Sequence, residues 1–164
     1  MNVSNALMKA SEGRFFTDMA SDPISTLQGI GPKADHVLEA LGLTTVAELA
    51  TYKYFLLARA LATLAETEIE GDRPEGSVMN VDKAVDKDWE SKTLKQICEA
   101  PTAALDGLSD AAGHLLSTLG VRTVIDLAHF KYCRWAEAIV DVSKFEQTKT
   151  TAERKQEALL KKLG

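Results

Sequence analysis

The chain alternates short amphipathic stretches with turns marked by glycine and proline, and no stretch shows the strict alternation of a strand. Val3, Leu7, Ala10, Phe15 or Phe16, and Met19 recur at helical spacing and predict an amphipathic helix over residues 3–20. Asp22 before Pro23 is a capping residue ahead of a proline at the first helical position, so a short helix starts there and stops at Gly29. Gly29-Ile30-Gly31 reads as a tight turn, its two glycines supplying backbone freedom and Ile30 reaching into the core. Pro32 opens a helix through Leu41 with Ala34, Leu38 and Leu41 on one face, and Gly42 ends it. Thr45 and Glu48 form a capping box for the next helix, which continues or breaks near Tyr52 and runs to about Glu66.

Residues 67–83 hold Gly71, Pro74 and Gly76 among acids and read as a surface linker. Val85, Trp89, Leu94 and Ile97 then predict a second opening helix over roughly 84–99. Leu115, Leu116 and Leu119 form the next stripe, ended by Gly120. Thr123 with Asp126 repeats the earlier cap in weaker form, ahead of a helix carrying Leu127, Phe130, Trp135 and Ile139. Thr150 and Glu153 cap a short basic terminal helix with Ala152, Leu159, Leu160 and Leu163. The expected fold class is all-α.

The two halves are related. Pro23 to Leu61 recurs without a gap as Pro101 to Ile139 at a constant offset of 78, with sixteen identities in 39 positions, too many for chance. An internal repeat constrains a fold more than any single motif. The expected organisation is a first helical unit at 1–66, an acidic linker at 67–83, a second unit at 84–146 and a basic C-terminal helix at 147–164. The units are expected to pack as one pseudo-symmetric bundle.

Composition and charge narrow the function. No run approaches the ~20 apolar residues that a bilayer span needs. The first sixteen residues lack the basic start and apolar core of a secretory signal. Cys98 and Cys133 fall at non-equivalent repeat positions without metal-ligand spacing, and read as buried thiols of a reducing compartment. The expectation is a soluble protein of the cytoplasm or an organelle interior. The net charge of −5 is uneven: residues 62–100 carry ten acids and five bases, whereas 140–164 come to +2. Phosphate neutralisation dominates nucleic-acid affinity, so this balance argues against a strong general DNA binder while leaving room for a local contact.

Leu27-Gln28-Gly29-Ile30-Gly31-Pro32-Lys33-Ala34, followed by Leu41-Gly42-Leu43 and Thr44-Thr45-Val46, resembles the helix-hairpin-helix family. The resemblance covers about 39 residues in each unit and is more specific for fold than for function. It implies two tandem helix-hairpin-helix units. In DNA-binding members the N–H groups of the glycine hairpin and the next helix start cradle a phosphate, as unsatisfied donors at a positive helix end can. By position, Gly29, Ile30 and Gly31 would supply donors and Lys33 the charge. The second hairpin departs from this pattern, with Gly107, then Leu108 for Ile30, Ser109 for Gly31, Asp110 for Pro32 and Ala111 for Lys33. The alternative role for the first hairpin is that of a plain interhelical turn.

His36 and His114 recur in both units, away from the apolar stripe, and read as exposed or interface residues. Lys53-Tyr54 recurs as Lys131-Tyr132, which reads as a helix start packing on its own unit. His36, His114, Lys53 and Lys131 together form the candidate partner surface. No nucleophile–base pairing, phosphate loop or metal cluster is visible, so neither catalysis nor a metal or other cofactor is expected. The function expected is that of a non-catalytic scaffold, adaptor or assembly subunit whose partners are other proteins or copies of itself. The alternative is weak, sequence-independent DNA or RNA binding through Gly29 to Lys33. The terminal helix either packs on the core or binds a partner in a groove.

Overall fold

Local signals set most of the helix ends. Pro32 sits at the first position of a helix over Pro32–Ala40, and Gly42 closes it at φ +79°, a left-handed conformation that side chains resist. Thr45 accepts from the Glu48 N–H at 3.2 Å to start a five-residue helix. The chain then breaks at Thr51-Tyr52 and restarts at Lys53. Thr123 and Asp126 form a complete capping box, stronger than the sequence suggested, because the shorter Asp126 carboxylate still reaches the Thr123 N–H at 3.1 Å.

The computed structural model describes all 164 residues and is all-helical, with no strands. The helices are α1 (Phe16–Met19), α2 (Pro32–Ala40), α3 (Val46–Ala50), α4 (Lys53–Ala65), α5 (Leu94–Glu99), α6 (Asp110–Thr118), α7 (Val124–Ala128), α8 (Lys131–Ser143) and α9 (Thr151–Leu163). Short 3-10 turns cover Lys9–Ser11, Ile24–Thr26, Lys87–Trp89 and Thr102–Ala104. From Lys9 to Ala65, every element starts 78 residues before a counterpart. No helix is long and apolar enough to cross a membrane.

Both expected opening helices are much shorter than their periodicity implied. Instead of a helix over 3–20, residues 6–8 pair with 26–28 through Met8 N–H to Thr26 O and Gln28 N–H to Ala6 O, each 2.9 Å. Residues 84–86 pair with 104–106 in the same way. A backbone donor spent across the chain is unavailable for an i to i−4 bond, so helix is confined to α1 and α5. The capping box of Thr93 and Gln96 fixes the start of α5. Likewise, the helix expected after Asp22-Pro23 is only the 3-10 turn Ile24–Thr26. Pairing of Pro23 with Thr45, through Ile24 N–H to Thr44 O, stops it from extending.

One cluster of 30 buried residues runs through both halves, from Leu7 to Ile139. Its main helix contacts cross between the halves: α3 packs on α8, α4 on α7, α4 on α5 and α1 on α8. Phe55, Ala58 and Leu61 of α4 and their counterparts Cys133, Ala136 and Ile139 of α8 are among the buried positions of the two exchanged helices. Burying each large apolar side chain stabilises by about 1.5–3 kcal/mol, so the gain from Phe55, Leu61 and Ile139 at these crossings depends on the halves being together.

The loops continue the exchange. Glu68, just beyond α4, accepts from the Leu94 and Lys95 N–H groups at 2.8 and 3.1 Å and so caps α5. Glu146, just beyond α8, accepts from the Phe16 and Thr17 N–H groups, both at 2.9 Å, and so caps α1. Each carboxylate sits at the positive end of a helix from the other half, where negative charge is favoured.

Candidate functional site

The first hairpin is built by one glycine rather than two. Gly29 has φ +91°, whereas Gly31 lies at φ −84°, ψ −178°, an extended conformation open to any residue. In the second hairpin Gly107 repeats the positive φ at +88°, and Ser109 occupies the Gly31 position at φ −68°, ψ 160°. Replacing Gly31 by serine therefore leaves the turn intact. Ile30 and its counterpart Leu108 are both buried and plug the core from the two turns.

What changes is the supply of donors at the helix start. Ser109 Oγ accepts from the Ala112 N–H at 3.0 Å and caps α6. Gly31 has no side chain to do this for Ala34, and α2 starts without a side-chain cap. Lys33 is exposed and belongs to none of the ion pairs. Arg59, another cation of the first repeat, is held by Glu137.

Tyr132 closes over the first hairpin from the other half, donating its hydroxyl to the Gly29 carbonyl at 2.9 Å. A Cβ at Gly29 would stand 3.1 Å from that hydroxyl, and one at Gly107 would stand 2.7 Å from the Tyr54 hydroxyl. The recurring Lys-Tyr pairs thus pack across the halves, not on their own unit as the sequence suggested. Identical stripes on two related units leave a sequence reading unable to distinguish the near partner from the far one. Lys53 Nζ lies 4.8 Å from the Tyr54 ring, and Lys131 Nζ lies 5.1 Å from the Tyr132 ring and 5.6 Å from that of Trp135. These placements suit cation–π attraction, each lysine lying over the ring whose hydroxyl reaches the opposite hairpin.

His36 and His114 lie exposed on α2 and α6, and neither ring makes a hydrogen bond. A different histidine lines a groove, an open depression of about 480 Å³ between Ala34 and residues 119–132. His129, Asp126, Lys131 and Tyr132 contribute its polar groups. His129 Nδ1 lies 3.0 Å from the Ile125 carbonyl, which makes Nδ1 the protonated nitrogen and leaves Nε2 free. Burial pushes the Asp126 carboxyl up, but the Arg122 and Thr123 N–H donors outweigh it and hold the group below its ordinary value. An ionised carboxylate that is already hydrogen-bonded is a poor general base. Burial pushes the Cys133 thiol up to about 12 and raises Cys98 as well, so neither is a ready nucleophile. No group of three or more His, Cys, Asp or Glu side chains is arranged to hold a metal ion.

His129 escaped sequence reasoning because its counterpart is Thr51, so the repeat did not single it out. Glu68 and Glu146 escaped because they lie beyond the 39-residue window, although carrying the same offset a few residues further pairs them. The terminal helix is the other notable surface. All thirteen residues of α9 are exposed, including Leu159, Leu160 and Leu163. The chain matches no protein-family model, no curated protein and no solved structure.

Proposed function

We propose that this chain is a non-catalytic interaction protein, a scaffold, adaptor or assembly subunit built from two tandem helix-hairpin-helix units packed about a pseudo-two-fold axis. The observation that carries the functional reading is α9: an amphipathic helix with no buried residue, presenting Leu159, Leu160 and Leu163 at 58, 60 and 77% exposure. Apolar stripes left in water mark interaction surfaces. The structural part draws support from the offset-related caps of Glu68 and Glu146, and from both hairpin glycines being covered by a tyrosine from the opposite half. In this reading the hairpins hold the units together and the outer surface does the binding.

Affinity capture with the full chain, beside Leu159→Asp/Leu163→Asp, tests the reading. A reproducible set of bound proteins, or bound copies of the chain, that the variant loses is the expected result. A chain that stays monomeric and captures nothing overturns it.

A second reading, weak sequence-independent nucleic-acid binding, draws support from one observation: α2 starts uncapped beside Lys33, whereas Ser109 satisfies the equivalent donor in the second hairpin. Fluorescence anisotropy with labelled DNA and RNA at low and physiological salt tests it. Binding that falls steeply with salt and vanishes in Lys33→Glu supports this reading, and no binding at low salt retires it.

A further inference from the structure

We infer that the occupant of α9 is a second copy of this chain, whose acidic connector between α4 and α5 receives the helix. This rests on the interaction-protein reading above and gives that reading a partner. Six of the twelve large apolar side chains that stand exposed lie in just these two segments: Ile69, Val78 and Met79 at 73–85%, and Leu159, Leu160 and Leu163 at 58–77%. The segments carry opposite charge. Residues 66–82 hold six acids and one base, while α9 holds four bases and two acids.

The charge lies where a contact would use it. At about 100° per residue, Ala152, Gln156, Leu159 and Leu163 form one stripe of α9. Lys155 and Lys162 run along one edge of that stripe, and Glu153 and Glu157 along the other. Glu157 is already paired with Lys149 and Glu153 accepts from the Thr150 N–H, which leaves Lys155 and Lys162 as the unpartnered charges beside the stripe. Glu70, Asp72 and Glu75 are exposed in the same stretch as Ile69, and their only ion pair is a loose contact of 4.0 Å from Glu70 to Lys95. Apolar groups flanked by complementary charge on both partners make the usual core and rim of an interface.

The two segments leave the body from different helices. Glu146 pins the root of α9 to α1, in the first half, while Glu68 pins the root of the connector to α5, in the second. Two copies that exchange these segments form a closed dimer with the contact made twice.

Sedimentation velocity on the full chain, up to about 100 µM and at low and high salt, is the test. The expected result is a dimer that weakens with salt, as screening of exposed charges requires. Lys155→Glu/Lys162→Glu should weaken it at least tenfold, as should Glu70→Lys/Asp72→Lys/Glu75→Lys, and combining both sets in one chain should restore it. Leu159→Asp/Leu163→Asp should abolish it with the helical circular dichroism of the body retained, because α9 buries nothing against that body. A chain that remains monomeric at low salt overturns the inference, as does a dimer indifferent to both charge reversals. A monomer that still captures other proteins overturns only this inference, whereas one that captures nothing overturns the interaction reading as well.

Discussion

Arg59 of α4 and Glu137 of α8 occupy the same position in the two repeats, 78 residues apart, and meet as an ion pair. Both side chains are partly exposed, at 44 and 21%, so water screens the attraction. A double-mutant cycle with Arg59→Ala and Glu137→Ala, read by chemical denaturation, should give a coupling of about 0.2–1 kcal/mol. The exchanged pair Arg59→Glu/Glu137→Arg should recover most of it. A coupling near zero would mean that the two side chains meet without stabilising the crossing.

The two tyrosines give an internal control. Tyr132 donates to the Gly29 carbonyl, whereas the Tyr54 hydroxyl approaches Gly107 without a hydrogen bond to it. Tyr132→Phe should therefore cost about 0.5–1.5 kcal/mol in denaturant stability, and Tyr54→Phe clearly less. Equal losses would show that the hydroxyl bond contributes nothing particular.

Gly29 and Gly31 should respond in opposite directions. Gly29→Ala forces a side chain to φ +91° and against the Tyr132 hydroxyl, and should destabilise by about 1–2 kcal/mol or more. Gly31→Ser meets an extended backbone with nothing within 4 Å of its Cβ. It should stabilise by about 0.5–1 kcal/mol, mostly because serine has fewer unfolded conformations to lose than glycine, with a few tenths added by capping Ala34 as Ser109 caps Ala112. Thermal melts of the two variants decide the matter.

Glu146 makes stability depend on pH in a defined direction. Burial pushes its carboxyl up, but the Thr17 and Phe16 N–H groups and the Thr17 hydroxyl outweigh this, leaving it below its ordinary value. A carboxylate lowered in the folded state contributes fully above its unfolded pKa of about 4.3, and the contribution fades as pH falls through the lower folded value. Glu146→Gln should accordingly be less stable than the native chain at pH 7, with the gap narrowing in acid below the ordinary glutamate range. Denaturation at both pH values reads it, and a gap that is unchanged in acid would sink the assignment.

The all-helical class and the boundaries of α2 and α9 were legible because Pro32, Gly42, Thr45 and Thr150 act within a turn of their own position, whereas the sequence left open whether the helix after Thr45 continues or breaks near Tyr52. The opening stretches failed for the opposite reason. Leu7 and Met19 carry a helical period, yet the backbone around Leu7 is committed to Leu27, a partner that local periodicity does not see. The glycine hairpin was legible as a turn, but not that its second position can do without glycine, since only the dihedral angles separate Gly29 from Gly31. Gly71, Pro74 and Gly76 among acids read the 67–83 stretch as surface linker and gave no sign that Glu68, within it, caps a helix.

The crossing of α4 and α8 between the halves has a consequence during synthesis. The ribosome completes α4 at Ala65, while α7, against which it packs, ends only at Ala128. At about 5–20 residues per second, Phe55, Ala58 and Leu61 wait several seconds for the surface that will cover them. Two nascent chains on one message could meet this need in each other, each supplying the late half of its neighbour.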